Sequence, residues 1–113
     1  MKYEIPQNRL DKIIFKYLDN TLKSLEKRKA KNFTGIVFAY PDEEFGILGL
    51  VNNGNLLIYW KITEDIKNFF NLEKIDAEEL IGRWVREKLQ LKVRRTSWVL
   101  GRAILQVDNG LQL

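Results

Sequence analysis

Four cations and one aromatic ring near the C-terminal end have the residue types and spacing best suited to binding chemistry. They are Lys92, Arg94, Arg95, Trp98 and Arg102. On a strand, Lys92 and Arg94 would share one face because side chains alternate. Cations beside an aromatic ring suit single-stranded nucleic acid, since phosphates meet charge while a base stacks on the ring. They suit an edge strand equally well, because lysine and arginine block unwanted strand pairing.

The segment before these cations, DAEELIGRWVREKLQ, is highly charged but has the pattern of a structural helix. Asp76 and Glu79 have capping-box spacing, which predicts a helix over residues 77–90. Its apolar face is made of Ala77, Leu80, Ile81, Trp84 and Val85. The opposite face carries charges at intervals of four that can pair along the helix: Glu79, Arg83 and Glu87. We therefore expect Trp84 in the core, on a helix that supports the fold rather than reading a nucleic acid.

The chain contains no histidine and no cysteine, which narrows its chemistry. The common zinc sites and the Ser-His and Cys-His couples cannot be built without them. Acid–base work would fall to carboxylates, lysines or tyrosines. Asp42, Glu43 and Glu44 could hold Mg²⁺ or Ca²⁺, but no EF-hand spacing surrounds them and acidic turns are common. We therefore expect no catalytic residue, no cofactor and no metal site.

The length and composition are those of a small folded protein. With 113 residues, of which 45% are hydrophobic, the chain is expected to form a single domain, 1–113. The sequence lacks any stretch of ~18 uncharged apolar residues, which argues against a membrane span. No apolar stretch follows Lys2, which argues against a secretory signal and, with the absence of cysteine, favours a cytoplasmic protein.

Charge is distributed unevenly, although the net charge is only +4. Residues 1–31 carry nine Lys/Arg against four Asp/Glu, residues 32–81 three against nine, and residues 82–113 seven against two. This basic, acidic, basic pattern fits a face for a polyanion. It fits equally well ends that fold against the middle, or copies that pair head to tail.

A long N-terminal helix is predicted from a start at Pro6, with Asn8 as its cap, to about Ala30. Its apolar stripe is formed by Leu10, Ile13, Ile14, Tyr17, Leu18, Leu22 and Leu25. The cations of residues 27–31 would then lie at the negative end of the helix dipole. Phe15 lies off the stripe, so a second contact, such as another subunit, is expected to cover it.

Three strands are predicted next, in the segments TGIVFAYP, FGILGLV and LLIYWKI. They are joined by a turn at residues 41–44 and by Asn53 and Gly54, a pair suited to a type I′ turn. Short turns of this kind give an antiparallel meander. In the last strand apolar and polar residues do not alternate strictly, so both of its faces are expected to be covered.

Two further helices and one or two C-terminal strands complete the predicted order. Thr63 is expected to cap a short helix. The helix over residues 77–90 follows it. Beyond Leu91 the chain is rich in Val, Ile and Leu, with breaks at Gly101 and at Asn109 and Gly110. The sequence therefore predicts an α+β fold, with an SH3-like barrel carrying added helices as the alternative.

Three segments resemble a class of uncharacterised small proteins from marine bacteriophages and ocean environmental sequences. They are RLDKIIFKYLD, PDEEFGILGL and IGRWVREKLQLKV, which together span most of the chain. That class has no assigned activity or functional residue. The resemblance implies a bacterial cytoplasm or that of a phage-infected host cell.

Three functions follow from these observations, in decreasing order of expectation. The first is a non-catalytic interaction or scaffold protein that forms a homo-oligomer, because Phe15, Tyr59 and Trp60 exceed what one short sheet can bury. The second is nucleic-acid binding through the C-terminal cations and Trp98, with residues 27–31 as a second basic segment. The third is a carboxylate- or cation-dependent enzyme, which requires a pocket lined by at least two acids.

Overall fold

The computed structural model describes residues 7–108. Its helices are α1 (Gln7–Leu22), α2 (Trp60–Phe70) and α3 (Lys74–Lys88), and its strands are β1 (Glu26–Lys29), β2 (Gly35–Ala39), β3 (Leu48–Val51), β4 (Asn55–Tyr59) and β5 (Arg95–Val99). A short 3₁₀ turn follows at Ala103–Leu105. The α+β class and the N-terminal helix are confirmed. The predicted helix start at Pro6 and the turn at Asn109 and Gly110 lie outside the described residues. Asn8 is not the cap of α1, because the helix already includes Gln7.

The five strands form one open sheet in the order β1-β2-β3-β4-β5. β2, β3 and β4 form the predicted antiparallel meander, but β1 also pairs antiparallel with β2, so the meander has four strands rather than three. β5 pairs parallel with β4, because α2 and α3 form a crossover between them. β1 and β5 are the two edges of the sheet, so the alternative of a closed barrel is wrong.

The prediction that α1 runs to Ala30 is wrong, and this changes the place of the basic residues 27–31. α1 ends at Leu22, and the N–H of Leu25 donates to the Leu22 carbonyl at 3.2 Å. Glu26 then pairs with Ala39, and Lys29 with Ile36, in an antiparallel ladder. Pairing with β2 outweighs the modest helical preference of Lys and Arg. The cations therefore belong to an edge strand rather than to a helix end.

The turn between β3 and β4 differs from the predicted type I′. Gly54 has a φ of +94°, but Asn53 is not among the residues with positive φ, which a type I′ turn requires at both positions. The N–H of Gly54 donates to the Val51 carbonyl at 2.8 Å. This is a three-residue hairpin loop that ends in a left-handed glycine.

Both helices of the crossover begin earlier than predicted. α2 starts at Trp60, directly after β4, so Thr63 is not a cap but lies inside the helix with 1% of its surface exposed. α3 starts at Lys74, with extended Glu73 before it, and Asp76 falls in its first turn rather than at its cap. The residues that do occupy the N-cap positions, Tyr59 and Glu73, make no side-chain cap hydrogen bond.

Both faces of the sheet are covered, as predicted for β4. The helices cover one face, where Leu56 and Ile58 are fully buried. On the other face Leu57 packs with Leu105 and Val107 of the C-terminal segment. Instead of a further strand, this segment makes isolated bridges, Ala30 to Val107 and Phe45 to Gln106.

The expectation that α3 is structural is confirmed at Trp84. Its side chain is 4% exposed, and its indole Nε1–H donates to Asp19 Oδ1 of α1 at 2.7 Å. On the charged face, Arg83 was predicted to pair with glutamates of its own helix. Instead its Nη1 lies 2.7 Å from Asp11 Oδ2 of α1. Lys88 Nζ also lies 3.7 Å from Asp19 Oδ2, so three residues of α3 make polar contacts with α1.

Candidate functional site

The two edges of the sheet differ in how they are protected against pairing. All four residues of β1, EKRK, are charged, which is how natural sheets discourage edge-to-edge association. In β5, RTSWV, only Arg95 is charged. Trp98 in this strand and Leu100 directly after it are 42% and 70% exposed. We call the outer side of β5, with Trp98 and Leu100, the β5 edge; it is the less protected of the two.

β5 is held firmly against the rest of the molecule. Gly82 lets α3 approach closely, because a Cβ at that position would lie 3.0 Å from the methyl group of Thr96. Ser97 Oγ donates to Asn55 Oδ1 of β4 at 3.0 Å. Lys74 Nζ lies 3.7 Å from the ring centroid of Trp98, a cation–π contact. These contacts fix the strand, and no described strand pairs with its outer side.

An arginine-lined groove of about 450 Å³ runs beside the β5 edge. Its cations are Arg83, Arg86, Arg94 and Arg95, and its other lining residues are Ile75, Glu78, Glu79 and Thr96. Arg83 is paired with Asp11, so three arginines remain against two glutamates and leave this groove with a positive charge. We call it the arginine groove.

Local contacts determine how the chain returns from α3 to the arginine groove. α3 ends at Lys88, and Gln90, two residues later, has a left-handed backbone conformation with a φ of +56°. Arg86 Nε then donates to the Val93 carbonyl at 2.9 Å, which ties the returning segment to the helix. The N–H of Arg94 donates to the Gly54 carbonyl at 2.7 Å, and the Arg94 stem covers buried Gly54. Arg94 is therefore fixed by its backbone and its stem.

The structure brings together only part of the cation set predicted to bind nucleic acid. Arg94 and Arg95 line the arginine groove, and Trp98 lies on β5, the strand that begins at Arg95. Lys92 and Arg94 precede this strand, so they do not share one of its faces as predicted. Lys92 is exposed and is not among the groove residues. Residues 27–31 lie at the opposite edge, across three strands.

Arg102 lies apart from the other predicted cations. Its Nη2 donates to Glu43 Oε2 at 2.7 Å and to the Phe45 carbonyl, and its Nε donates to the Gly46 carbonyl at 3.1 Å. Its guanidinium is 5.8 Å from the Tyr59 ring centroid. Arg102 therefore anchors the loop between β2 and β3 to the C-terminal segment.

The three aromatic residues predicted for self-association occupy two separate places. Phe15 is half-buried between α1 and α3, with the Arg83 guanidinium 5.6 Å from its ring centroid. Tyr59 and Trp60 are neighbours where β4 passes into α2, and their ring centroids are 6.1 Å apart. Trp60 is 38% exposed and Tyr59 is half-buried.

Sequence reasoning missed several residues of the arginine groove and the β5 edge. Arg83 is expected from sequence to pair along its helix and Arg86 is not singled out, although both are close in sequence to Arg94 and Arg95. Leu100 and Ile75, which are 70% and 66% exposed, were not singled out. Their exposure depends on where β5 lies in the sheet.

The acids proposed for a cation site line a different depression, of about 260 Å³. Asp42, Glu43, Glu44 and Glu26 are joined there by Arg28 and Lys31. Glu43 is already bonded to Arg102, and Glu26 lies 3.6 Å from Arg28. Within residues 7–108, no group of three acidic residues is arranged to hold a metal ion.

No protein-family model, no curated protein and no solved structure matches this chain. Over the described residues, no helix has the length and apolar character needed to cross a membrane.

Proposed function

We propose that the protein is a non-catalytic assembly module that forms a homodimer through the β5 edge. The observation that carries this proposal is the asymmetry between the sheet edges, one fully charged and one carrying a single charge. An open edge gains main-chain hydrogen bonds when another strand is added to it. Homodimers most often have two-fold symmetry, which places the same strand of each copy side by side and antiparallel.

The sequence of β5 suits such two-fold pairing. Ser97 is the central residue of the strand, so pairing over its whole length places the two Ser97 residues opposite each other. Trp98 then lies beside Thr96 of the partner subunit and diagonally from the partner's Trp98, within reach of a ring contact. The two Arg95 residues are separated by four residue steps, about 14 Å, beyond the ~8 Å screening length. Like charges therefore do not oppose the pairing.

A cysteine at the centre of β5 is expected to crosslink the dimer. The chain contains no cysteine, so Ser97→Cys introduces the only thiol. Residues directly opposite in an antiparallel pair have Cβ atoms ~4.5–5.5 Å apart, close enough for a disulfide after a small shift. We expect light scattering to give twice the mass of one chain for the unmodified protein. Mild oxidation of the variant should then convert it to a covalent dimer.

The matched control is Ile104→Cys, on a side chain that is 41% exposed in the 3₁₀ turn, outside the strand that is proposed to pair. This variant is expected to stay uncrosslinked under the same oxidation. A monomeric unmodified protein at high micromolar concentration would overturn the proposal. Equal crosslinking by both variants would overturn it too.

A second candidate function is binding of single-stranded nucleic acid in the arginine groove. The observation that favours it is that four arginines from two segments line one groove beside exposed Trp98. Arginine suits phosphate because its planar guanidinium forms two parallel hydrogen bonds. A base could stack on the tryptophan ring while the backbone follows the groove.

Removing two groove cations is expected to weaken this binding and its salt dependence. The double variant Arg94→Gln/Arg95→Gln should lower the slope of log affinity against log salt by ~1.4, since each single-strand phosphate contact contributes ~0.7. Fluorescence anisotropy with a labelled oligothymidylate measures the slope. The control Lys29→Gln/Lys31→Gln removes the same charge near the other edge and should leave the slope unchanged. Absence of binding at low salt would exclude this candidate.

A further inference from the structure

A second groove, unrelated to the β5 edge, opens between the C-terminal ends of α1 and α3 and the edge strand β1. Its volume is about 470 Å³, within the ~300–1,000 Å³ typical of small-molecule sites. Its apolar residues are Leu22, Phe38 and Trp84, which are 3–4% exposed, and Leu25, Leu89 and Leu91, which are half-buried. We call it the apolar groove. It offers a concave hydrophobic surface at the edge where the sheet is best protected from pairing.

The charges around the apolar groove are predominantly positive. Lys23, Lys27 and Lys88 line it, all of them exposed, and Asp19 is its single acid. Asp19 is already engaged, since Oδ1 accepts the Trp84 Nε1–H and Oδ2 lies 3.7 Å from Lys88 Nζ. Neither Lys23 nor Lys27 has an ion-pair partner among the described residues.

This combination selects the chemistry of the ligand. A purely apolar molecule would gain nothing from the two lysines, and an inorganic anion would leave the apolar surface unused. Arginine, the residue better suited to bidentate phosphate recognition, is absent from this groove. Lysine acts instead as a compact point charge. The best match is a small amphipathic molecule with one carboxylate and an apolar chain.

We infer that the apolar groove binds a free medium-chain carboxylate. The alkyl chain lies against Leu25, Phe38 and Leu89, and the carboxylate lies between Lys23 and Lys27. Because the apolar groove and the β5 edge are at opposite sides of the sheet, this binding is independent of dimer formation. The protein would thus carry an assembly surface and a ligand site on different edges.

Octanoate is the probe for this site, and 1-octanol is its uncharged counterpart with the same chain length. In two-dimensional NMR of the ¹⁵N-labelled full chain, octanoate is expected to shift the amides of Leu25, Lys27, Leu89 and Leu91 in a saturable manner. Octanol should bind about tenfold more weakly, because it lacks the charge that the two lysines attract. Lys23→Gln/Lys27→Gln should also lower octanoate affinity by about tenfold and leave octanol affinity unchanged.

The charge-matched control is Lys29→Gln/Lys31→Gln, which alters lysines of the same basic run outside the apolar groove. It should bind octanoate as the unmodified protein does. Equal affinity for octanoate and octanol would overturn the inference, as would shifts confined to other parts of the chain. Binding only to phosphatidylglycerol vesicles, with no response to octanoate, would assign the groove to a membrane surface and equally overturn it.

Discussion

Replacing Gly35 by alanine is expected to lower the free energy of unfolding by about 3 kcal/mol. Gly35 pairs with Val51 at the point where β2 meets β3. A Cβ at this position would lie 2.1 Å from the Leu50 carbonyl oxygen and 3.0 Å from the Val51 Cα. Both are backbone atoms of β3, so the clash cannot be relieved by a side-chain rotation. β3 would have to move away from β2, and ladder hydrogen bonds would lengthen. Urea denaturation measures the loss.

Gly101→Ala is the matched control for this substitution. A Cβ at Gly101 would meet no heavy atom within 4 Å, and the residue is exposed. Its free energy of unfolding should therefore stay within about 0.5 kcal/mol of that of the unmodified protein. If the two alanine variants were equally stable, the close approach of β2 and β3 at Gly35 would be contradicted.

Replacing Trp84 by alanine is expected to cost about 3–5 kcal/mol, the range for truncating a large buried aromatic residue. The ring lies in the main core, where α3 packs, with 4% of its surface exposed. The substitution also removes the Nε1–H that Asp19 accepts at 2.7 Å. Loss of packing and loss of this bond both weaken the contact between α1 and α3. Denaturation followed by circular dichroism measures the sum.

Two further variants separate these contributions. Trp84→Phe keeps most of the ring but not the donor, so it should cost about 1–2 kcal/mol. Trp60→Ala removes a ring that is 38% exposed and should cost about 1 kcal/mol or less. A Trp84→Ala variant as stable as Trp60→Ala would show that Trp84 is not a core residue.

The parts of the fold that sequence predicted were those encoded by local periodicity. The apolar stripe of α3 was readable because Ala77, Leu80, Ile81, Trp84 and Val85 recur at helical spacing, and all five are buried. The meander was readable because short turns separate β-branched and aromatic runs. In these segments the spacing of apolar residues predicts which face is buried.

β1 was not predictable in the same way, because its identity depends on a distant partner. EKRK has no apolar alternation, and Lys and Arg favour helices mildly. The strand exists because Glu26 and Lys29 pair with Ala39 and Ile36 of β2. When pairing with a distant segment determines the conformation of a strand, the residues of that strand alone do not predict it.

The arginine groove and the role of Arg102 also depend on contacts between distant parts of the chain. Arg83 and Arg86 reach Arg94 and Arg95 only because the segment after α3 turns back along the helix. Arg102 bonds to Glu43, which is 59 positions away in sequence. Similarly, β5 is an edge strand only because the crossover places it beyond β4.

The C-terminal segment covers a sheet face whose strands precede it in the chain, and this has a consequence during synthesis. Leu105 and Val107 pack on Val37 and Leu57, which emerge from the ribosome tens of residues earlier. Until residues 103–107 have left the exit tunnel, those two side chains face water or a chaperone. Nascent chains with exposed apolar surface are prone to aggregate. This face of the sheet therefore becomes protected from aggregation only when residues 103–107 are free to pack on it.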